Sequence, residues 1–373
     1  MDLTSTQFSK LPLNPQRIAI VRALHIGDLL CAVPAFRAVR NAFPQAEITL
    51  VCMPWAKEFV QRYSHYLDRF LEFPGYPGMD DGRVKPKEIV KFLAGAQKED
   101  FDLAIQLHGD GIMSSPFTVL LGAKLTAGYY RRGFANPGLD FALPNNQDDH
   151  EIIRNLKVLK VIGIDSDDVA VDFPITKEDK EALLRLEKAY RFPVGKKLVA
   201  FHPGSKAPTR RWNPLSFTQL ADEMVGRLGV QLILTGGPQE EGLVNQIQTA
   251  MKEKAVNLAG KTTLGSLAAL FEKLSLLITN DTGPAHIAYA LGTKSVTIFG
   301  GADPRRWAPL DEANHKIIRK KVSCNPCPYF DCPSGNFECL KAIQVDEVFE
   351  LAESLLKEVA NEKAKNPNLA YSW

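Results

Sequence analysis

Four short polar segments of this chain each follow an apolar, strand-like run, and their residue types could do chemistry. The first is Gly27-Asp28, after the run 17–24. Gly27 leaves room for another group to come close, because it has no Cβ. The Asp28 carboxylate could cap the following helix pattern, or it could face a cleft as a general base. Because ligands bind beyond the carboxyl ends of strands in open parallel sheets, a site is expected at such junctions.

The second segment, residues 201–214, combines a glycine-containing loop with a pair of arginines. Backbone amides near Gly204 and Ser205, together with the guanidinium of Arg210 or Arg211, could cradle a phosphate. The alternative is a surface loop that buries Trp212 and binds nothing. The segment alone does not favour either interpretation.

The third segment follows the strand-like run 230–235. Gly236 and Gly237 allow close approach of the backbone, and Glu240 begins a helix pattern just beyond them. A carboxylate in this position can accept two hydrogen bonds from ribose hydroxyls. Alternatively, an isolated glutamate there could have only a structural role, in which its negative charge stabilises the positive amino end of the helix.

The fourth segment combines more functional residue types than the other three. Asp281, Thr282 and Gly283 form a turn after the run 274–280, and Pro284 occupies a first helical turn, where proline is tolerated. The free amides and positive helix end would then point at a diphosphate, with the Thr282 hydroxyl as a further donor. His286 could contact a phosphate or simply pack. A turn with only a structural role does not need aspartate, threonine, glycine and histidine together. This combination therefore indicates a binding site.

Four of the six cysteines are crowded into sixteen residues near the end of the chain. Four thiols are enough for a tetrahedral structural site for zinc or iron, and the surrounding prolines suit a short knuckle. The spacing is less regular than two repeated C-x-x-C pairs, so free thiols and disulfides remain alternatives. The four candidate ligands are Cys324, Cys327, Cys332 and Cys339.

The composition narrows the class of protein. With 373 residues the chain is expected to form two domains, and 45% hydrophobic and 24% charged residues indicate a globular protein. A net charge of +2 gives no reason to expect a nucleic-acid partner. The first sixteen residues lack the apolar core of a signal peptide, and no later run is long enough to span a bilayer. A cytoplasmic protein is therefore expected, with peripheral contact to the inner membrane through basic residues 315–321 as an option.

Strand-like and helix-like runs alternate along the chain, which predicts an α/β fold with parallel sheets. The predicted boundaries are a first domain at 1–175, a linker at 176–195 and a second domain at 196–345. The remaining residues, 346–373, are predicted as a helix that packs back on the first domain, followed by a frayed tail. Residues 131–150 are predicted to form a mobile loop. Pro34 is expected to kink the first helix or to delay its start.

Five segments, in this order and spacing, resemble those of glycosyltransferase family 9, the ADP-heptose:lipopolysaccharide heptosyltransferases. The resemblance covers about residues 17–345, and the matching segments are IGDLLCAVPAFRAVRNAFPQAEITLV, HPGS…RRWNP, TGGPQEE, NDTGPAHIAYALGT and IFGGADPRRWAP. It implies a GT-B fold, in which two Rossmann-like domains face a central cleft. The implied reaction is the inverting transfer of a heptose from a nucleotide diphosphate to a lipopolysaccharide inner-core hydroxyl.

The resemblance also implies roles for individual residues. Asp28 would be the general base, with Gly27 and His108 on the acceptor side. On the donor side Glu240 would hold the ribose, Asp281 would orient the sugar, and the remaining donor-binding residues would be Gly204, Ser205, Arg210, Arg211, Gly237, Thr282, Gly283 and His286. The family commonly has a lysine where this chain has Arg210, which leaves open whether Arg210 or Arg211 contacts the phosphates.

Three other functions fit parts of the pattern. The chain could be a GT-B epimerase or a transferase that uses another nucleotide sugar, it could modify a protein or another glycan, or it could bind nucleotide sugars without catalysis. The Gly-Asp opening together with NDTGPAH favours the heptosyltransferase, and the carboxylates of Asp28, Glu240 and Asp281 argue against an inactive protein. No catalytic metal is required, because arginine and helix-end amides can stabilise the leaving diphosphate.

Overall fold

The computed structural model describes residues 11–79, 82, 84–193 and 195–365, with side chains up to residue 359. It divides into two compact units, one ending at Pro174 and the other beginning at Ile175. The residues that the sequence assigns to a linker include a helix, Lys177–Ala189, which packs within the second unit against the helix Leu264–Lys273. Each unit contains its own six-stranded parallel sheet, and the predicted α/β class is therefore confirmed.

The first unit follows the predicted alternation of strands and helices. Its strands are mostly buried runs of valine, isoleucine, leucine and alanine, as expected where helices cover both faces of a parallel sheet. The strands are β1 Arg17–Val21, β2 Glu47–Cys52, β3 Arg69–Glu72, β4 Leu103–Gln106, β5 Leu125–Tyr130 and β6 Phe141–Pro144. The helices are α1 Ile26–Leu30, α2 Val33–Ala42, α3 Ala56–Arg62, α4 Pro86–Ala96, α5 Ser114–Val119 and α6 Glu151–Lys160.

The second unit repeats this scheme around a core that includes the buried Trp212. Its strands are β7 Leu198–His202, β8 Gln231–Leu234, β9 Ala255–Asn257, β10 Leu276–Asn280, β11 Ser295–Phe299 and β12 His315–Arg319. Its helices are α7 Lys177–Ala189, α8 Pro214–Leu228, α9 Glu241–Ala250, α10 Leu264–Lys273, α11 Gly283–Leu291, α12 Pro304–Trp307, α13 Glu338–Lys341 and α14 Val345–Lys365.

The strand order is the same in both sheets and determines where each site lies. In the first sheet the order is β3-β2-β1-β4-β5-β6, and in the second it is β9-β8-β7-β10-β11-β12. The order reverses between β1 and β4 and between β7 and β10. Ligands bind beyond the carboxyl ends of strands at such switch points. Asp28 and His108 follow β1 and β4, while the segments at Gly204 and Asp281 follow β7 and β10.

Pro34 delays the start of a helix, as one of the two sequence interpretations predicts. The chain forms one short helix, α1, and begins α2 only at Val33, with Pro34 in its first turn. A proline there costs no internal hydrogen bond, because the first amides of a helix have no intrahelical partner. Asp28 therefore lies on a separate turn of helix between β1 and α2.

Two strands were not predicted. Residues 141–144 were taken as part of a mobile loop but pair with β5, and residues 315–319 were read as a basic cluster but pair with β11. Both are edge strands with partly exposed side chains. Residues 141–144 are apolar but number only four and end in proline, and residues 315–319 have only two apolar side chains. Neither sequence therefore has the longer apolar run that marks a central strand.

The last helix packs inside the second unit. Val348, Phe349 and Ala352 of α14 are buried in the core of that unit, where the helix contacts α8, β10 and β11. Its described apolar face is thus occupied there, whereas the sequence prediction assigned it to the first domain. The predicted tail, residues 366–373, lies outside the described residues.

Within the described ranges, no helix is both long and apolar enough to cross a bilayer.

Candidate functional site

Asp28 lies in the first turn of α1, directly beyond the carboxyl end of β1. Its carboxylate accepts a hydrogen bond from the His25 amide at 3.3 Å, so it does cap the helix. About a fifth of the side chain, 21%, remains exposed. Burial raises the pKa of Asp28, and the nearby Glu151 carboxylate adds to this, while Arg22 and His25 oppose it. A carboxylate with a raised pKa is a stronger base, so capping and general-base chemistry are compatible here.

A buried guanidinium that the sequence prediction missed lies beneath Asp28. Arg22, the residue after β1, is fully buried. Its Nε donates to the main-chain oxygen of Asp28 at 2.7 Å, and its Nη1 donates to the carbonyl of Leu107 and to Oδ1 of Asn155 at 3.1 Å. Its Nη2 donates to the buried Glu151 at 3.0 Å. A single arginine after a strand gives no sequence signal that two of its partners, Glu151 and Asn155, lie 129 and 133 residues away.

His108, assigned to the acceptor side, lies beside the end of β1. The Ala23 amide donates to its Nδ1 at 3.2 Å. Burial, together with the positive charges of Arg22 and Arg154, lowers the pKa of His108 to about 4, against the effect of a hydrogen bond with the Met79 backbone. The imidazole is therefore neutral at physiological pH. The structure brings His108 and Asp28 to the same end of the first sheet, and Gly27 is buried in the same turn as Asp28.

In the second unit, Gly204, Gly237 and Glu240 converge. The Gly237 amide donates to Oε2 of Glu240 at 2.7 Å. A Cβ added at Gly204 would lie only 1.9 Å from Oε1 of the same carboxylate, so residue 204 must be glycine for Glu240 to keep this position. Loops after two neighbouring strands, β7 and β8, thus come together around one acidic side chain.

His202, which the sequence does not predict as a site residue, contacts the same oxygen of Glu240 as the Gly237 amide. Its Nε2 lies 3.4 Å from Oε2 of Glu240, and its Nδ1 contacts the Thr235 hydroxyl at 3.0 Å. Burial by itself would raise the pKa of Glu240, but the contacts with His202 and with the Gly237 amide lower it below its usual value. Glu240 is therefore an ionised acceptor, as hydrogen bonding to hydroxyl groups requires.

Asp281 and Arg210 meet beyond the carboxyl end of β10. Asp281 is almost fully buried, and its Oδ2 lies 3.4 Å from Nη1 of Arg210, whose side chain is 39% exposed. Thr282 precedes α11 in an extended conformation, and Gly283 is the first residue of the helix. His286, one turn further, is buried and packs edge-on against Tyr289 and Trp307. The open amino end of α11 therefore lies beside an arginine that is partly exposed.

The two arginines of the second segment have different environments. Arg211 donates to the carbonyl of the buried Ser205 at 2.6 Å and so holds its own loop. Asn280, also missed by the sequence prediction, joins both ends of that loop: its amide donates to Pro203 at 2.8 Å, and its Oδ1 accepts from the Trp212 amide at 3.0 Å. Arg210 makes no comparable loop contact among those described. It is the better candidate to contact a ligand.

The cysteine-rich loop packs directly on this arginine loop. The Thr209 hydroxyl donates to the carbonyls of Tyr329 and Phe330, both at 3.0 Å, and the Gly301 amide donates to the Thr209 carbonyl at 3.0 Å. Thr209 immediately precedes Arg210. The cysteine-rich loop therefore orders the backbone that carries the partly exposed guanidinium of Arg210.

The predicted metal site is not formed in the described part of the chain. No group of three or more His, Cys, Asp or Glu side chains there is arranged to hold a metal ion. None of the six cysteines, all of which lie in the described ranges, forms a disulfide, so the disulfide alternative is not realised either. The cysteines are nevertheless neighbours, since burial and the nearby Cys324, Cys332 and Cys327 raise the pKa of Cys339.

Cys332 is expected to be the most reactive thiol at neutral pH. Hydrogen bonds with the Ser334 hydroxyl and the Phe337 backbone lower its pKa to about 7, whereas burial raises that of Cys52 to about 11. Because only the thiolate reacts, iodoacetamide labelling of Cys332 should be roughly fivefold slower at pH 6 than at pH 7. Peptide mass spectrometry after brief labelling measures this rate, with Cys332→Ser as the control. Faster labelling of Cys324 would contradict the prediction.

The sequence is similar to known glycosyltransferases over most of its length. Residues 89–337 match the profile of glycosyltransferase family 9 (heptosyltransferase). The lipooligosaccharide heptosyltransferase 2 of Campylobacter jejuni is 32% identical over 342 residues, which cover 89% of this chain and 96% of that protein. The similarity thus includes both units.

Solved structures show the same fold. A family 9 glycosyl transferase from Veillonella parvula superposes with a TM-score of 0.78 at 23% identity and covers 94% of this chain and 100% of its own. The E. coli ADP-heptose lipopolysaccharide heptosyltransferase II superposes with a TM-score of 0.71 at 19% identity over 92% and 99% of the two chains. The fold is therefore the GT-B fold that the sequence resemblance implied.

Proposed function

Since this chain belongs to glycosyltransferase family 9, the heptosyltransferases, we propose that it transfers a heptose from ADP-heptose to a hydroxyl of a lipopolysaccharide inner-core acceptor, with inversion. The observation that carries this proposal is the pair of polar sites at the two switch points. One offers the Asp28 carboxylate with its raised pKa, and the other offers the ionised Glu240 and, beside the start of α11, Arg210 paired with Asp281. These are the groups that a glycosyl transfer from a nucleotide diphosphate needs.

The second unit binds the donor in this proposal. Glu240 accepts hydrogen bonds from the ribose hydroxyls, and its contacts with Gly237 and His202 support this role by holding it ionised. Arg210 and the amides at the start of α11 stabilise the diphosphate, on which negative charge develops as the sugar leaves. Asp281 orients the sugar and, through its 3.4 Å contact, Arg210. Arg211 acts indirectly, by holding the loop through Ser205.

The first unit binds the acceptor and supplies the base. The acceptor oxygen attacks the anomeric carbon while its proton passes to the Asp28 carboxylate, and the bond to the diphosphate breaks on the opposite face. This single displacement inverts the anomeric centre without a covalent enzyme intermediate. The raised pKa of Asp28 supports its role, because proton transfer is most effective when the pKa of the base lies near the operating pH. His108, neutral and beside β1, belongs to the acceptor side.

The place of action follows from the proposed substrates. A nucleotide sugar is a cytoplasmic metabolite, while the acceptor is carried on a lipid, so we infer a cytoplasmic protein that works at the inner face of the membrane. The basic residues 315–321 are weaker support for membrane contact than their sequence suggests. They belong partly to an edge strand, and Lys320 is paired with Glu347.

A structural metal at the cysteine cluster remains a separate prediction. Four neighbouring thiols suffice for zinc or iron, but the loop would have to close further for them to bind it. Elemental analysis of protein purified without added metal tests it. About one equivalent of zinc or iron per chain would support the predicted site, and less than roughly a tenth of an equivalent would contradict it.

Transfer assays test the proposed function. We expect ADP release and a mass increase of one heptose when purified protein is given ADP-heptose and a lipopolysaccharide core that lacks heptose. UDP- and GDP-sugars, and a protein acceptor, serve as the comparison for the alternative functions. Transfer only from another nucleotide sugar, or only to another acceptor, would replace the proposal. Donor binding without any transfer would favour an inactive binding protein.

A further inference from the structure

Asp28 is surrounded by a small buried set of charges that compensate one another. Two guanidiniums, Arg22 and Arg154, lie next to two carboxylates, Glu151 and Asp28 itself. Arg22, Glu151 and Arg154 are almost completely buried. With both carboxylates ionised the four charges sum to zero, which is the condition under which buried ions are tolerated.

One nitrogen of Arg22 lies between the two carboxylates, closer to one of them. Nη2 is 3.0 Å from Oε1 of Glu151 and 3.9 Å from Oδ1 of Asp28. The first distance is a charge-assisted hydrogen bond, and the second is too long for one. The other nitrogens of Arg22 are held by main-chain oxygens and by Asn155, so the guanidinium is fixed in this orientation. The Asp28 carboxylate is left with the 3.3 Å bond from His25.

We propose that Glu151 is a positioning residue for Asp28: it holds Nη2 of Arg22 away from the Asp28 carboxylate, which therefore stays free to take a proton. The inference rests on the proposed role of Asp28 as the base. Without Glu151, Asp28 would be the carboxylate nearest to Nη2 of Arg22, and Arg22 could bond to it. A carboxylate so paired would be a weaker base.

The titratable and charged groups around Asp28 come from five parts of the first unit. Their effects on its pKa are opposed, with Arg22 and His25 lowering it and Glu151 raising it. Cys52 is a neutral thiol, and the imidazole of His108 is neutral as well. The groups are Arg22 at the end of β1, His25 before α1, Cys52 at the end of β2, His108 after β4, and Glu151 and Arg154 on α6.

The test is the pH dependence of kcat in Glu151→Gln. Loss of the neighbouring negative charge should move the acid limb of the kcat profile about one pH unit lower, since a nearby like charge raises a carboxyl pKa. Glu151→Asp should return the limb towards the wild-type position. The Kd for ADP, measured by calorimetry, should not change, because the donor residues belong to the second unit.

Glu47→Gln is the matched control. Glu47 also pairs with an arginine of the same unit, Arg69, at 2.9 Å. It lies at the amino end of β2, whereas Asp28 lies beyond the carboxyl end of β1. Its removal should leave the acid limb in place. If Glu151→Gln fails to fold, Glu151→Gln combined with Arg154→Met keeps the buried charges balanced and should produce the same shift.

Carboxyl ¹³C NMR separates this inference from the proposed function. The Asp28 resonance, identified by its loss in Asp28→Asn, should titrate at lower pH in Glu151→Gln than in the wild type. This readout does not depend on activity. An unshifted titration of Asp28 would overturn the inference, even in an active enzyme. A wild type that transfers no heptose would overturn the proposed function, while a shifted titration would still support the role of Glu151.

Discussion

Replacing Asp28 with asparagine is expected to lower the rate of heptose transfer by about 10² to 10⁴-fold. The amide keeps the size of the side chain but cannot take the proton of the acceptor hydroxyl. The Asp28 carboxylate is the acceptor for the His25 amide, and the asparagine oxygen can replace it in that bond. The fold should therefore persist. Single-turnover kinetics with ADP-heptose and heptose-free core measure the chemical step directly.

Asp165→Asn is the control for this experiment. Asp165 belongs to the same unit and forms an exposed ion pair with Lys160, the last residue of α6. Exposed pairs contribute little to stability, so the variant should keep its full activity. The Kd for ADP should be unchanged in both variants. Full transfer activity in Asp28→Asn, with normal donor binding, would show that Asp28 is a helix cap only.

Gly204→Ala is expected to weaken donor binding by about 10- to 100-fold, which corresponds to the loss of one or two hydrogen bonds to a charged group. The added methyl group would lie 1.9 Å from Oε1 and 2.0 Å from Cδ of Glu240. Because Glu240 is held by Gly237 and His202, its carboxylate can move only by breaking those contacts. The ribose would then lose its acceptor. Calorimetry with ADP measures the affinity without requiring turnover.

Gly242→Ala is the matched control, since this glycine lies in α9 of the same unit and an added Cβ would contact nothing within 4 Å. Alanine in the first turn of this helix should raise stability by at most about 0.5–1 kcal/mol and leave ADP binding unchanged. If Gly204→Ala bound ADP as tightly as the wild type, Glu240 would not be a donor ligand in the position described. Thermal melting of both variants separates a loss of affinity from a loss of fold.

The cysteine loop adds a connection that bears on both experiments. Thr209 joins this loop to the segment that carries Arg210, because its hydroxyl donates to the carbonyls of Tyr329 and Phe330 and its main-chain amide donates to that of Phe330. Alkylation of a thiol in this loop, such as that of Cys332, would therefore affect the segment that carries Arg210, through these backbone contacts. If the thiols are labelled before the affinity for ADP is measured, Cys332→Ser should be treated and measured in parallel.

The amino-acid sequence by itself determined the α/β class, the candidate residues Asp28, Glu240 and Asp281, and the family. These depend on local signals: apolar runs of strand length, glycine where the backbone turns, and proline in a first helical turn. Pro34 left two outcomes open, a kink or a delayed helix start, and the structure shows the delayed start of α2. The two edge strands give a weaker signal, because residues 141–144 are only four and end in proline and residues 315–319 have only two apolar side chains.

Only the tertiary structure decided which distant residues support these candidates. Arg22 and Glu151 are 129 residues apart in sequence, yet they form the ion pair beneath Asp28. His202 and Asn280 fix Glu240 and the arginine loop from neighbouring strands. The structure also left the four cysteines without a metal-binding arrangement in the described residues. Such contacts depend on strand order and on the packing of helices across the sheet, and a linear pattern of residue types does not specify either.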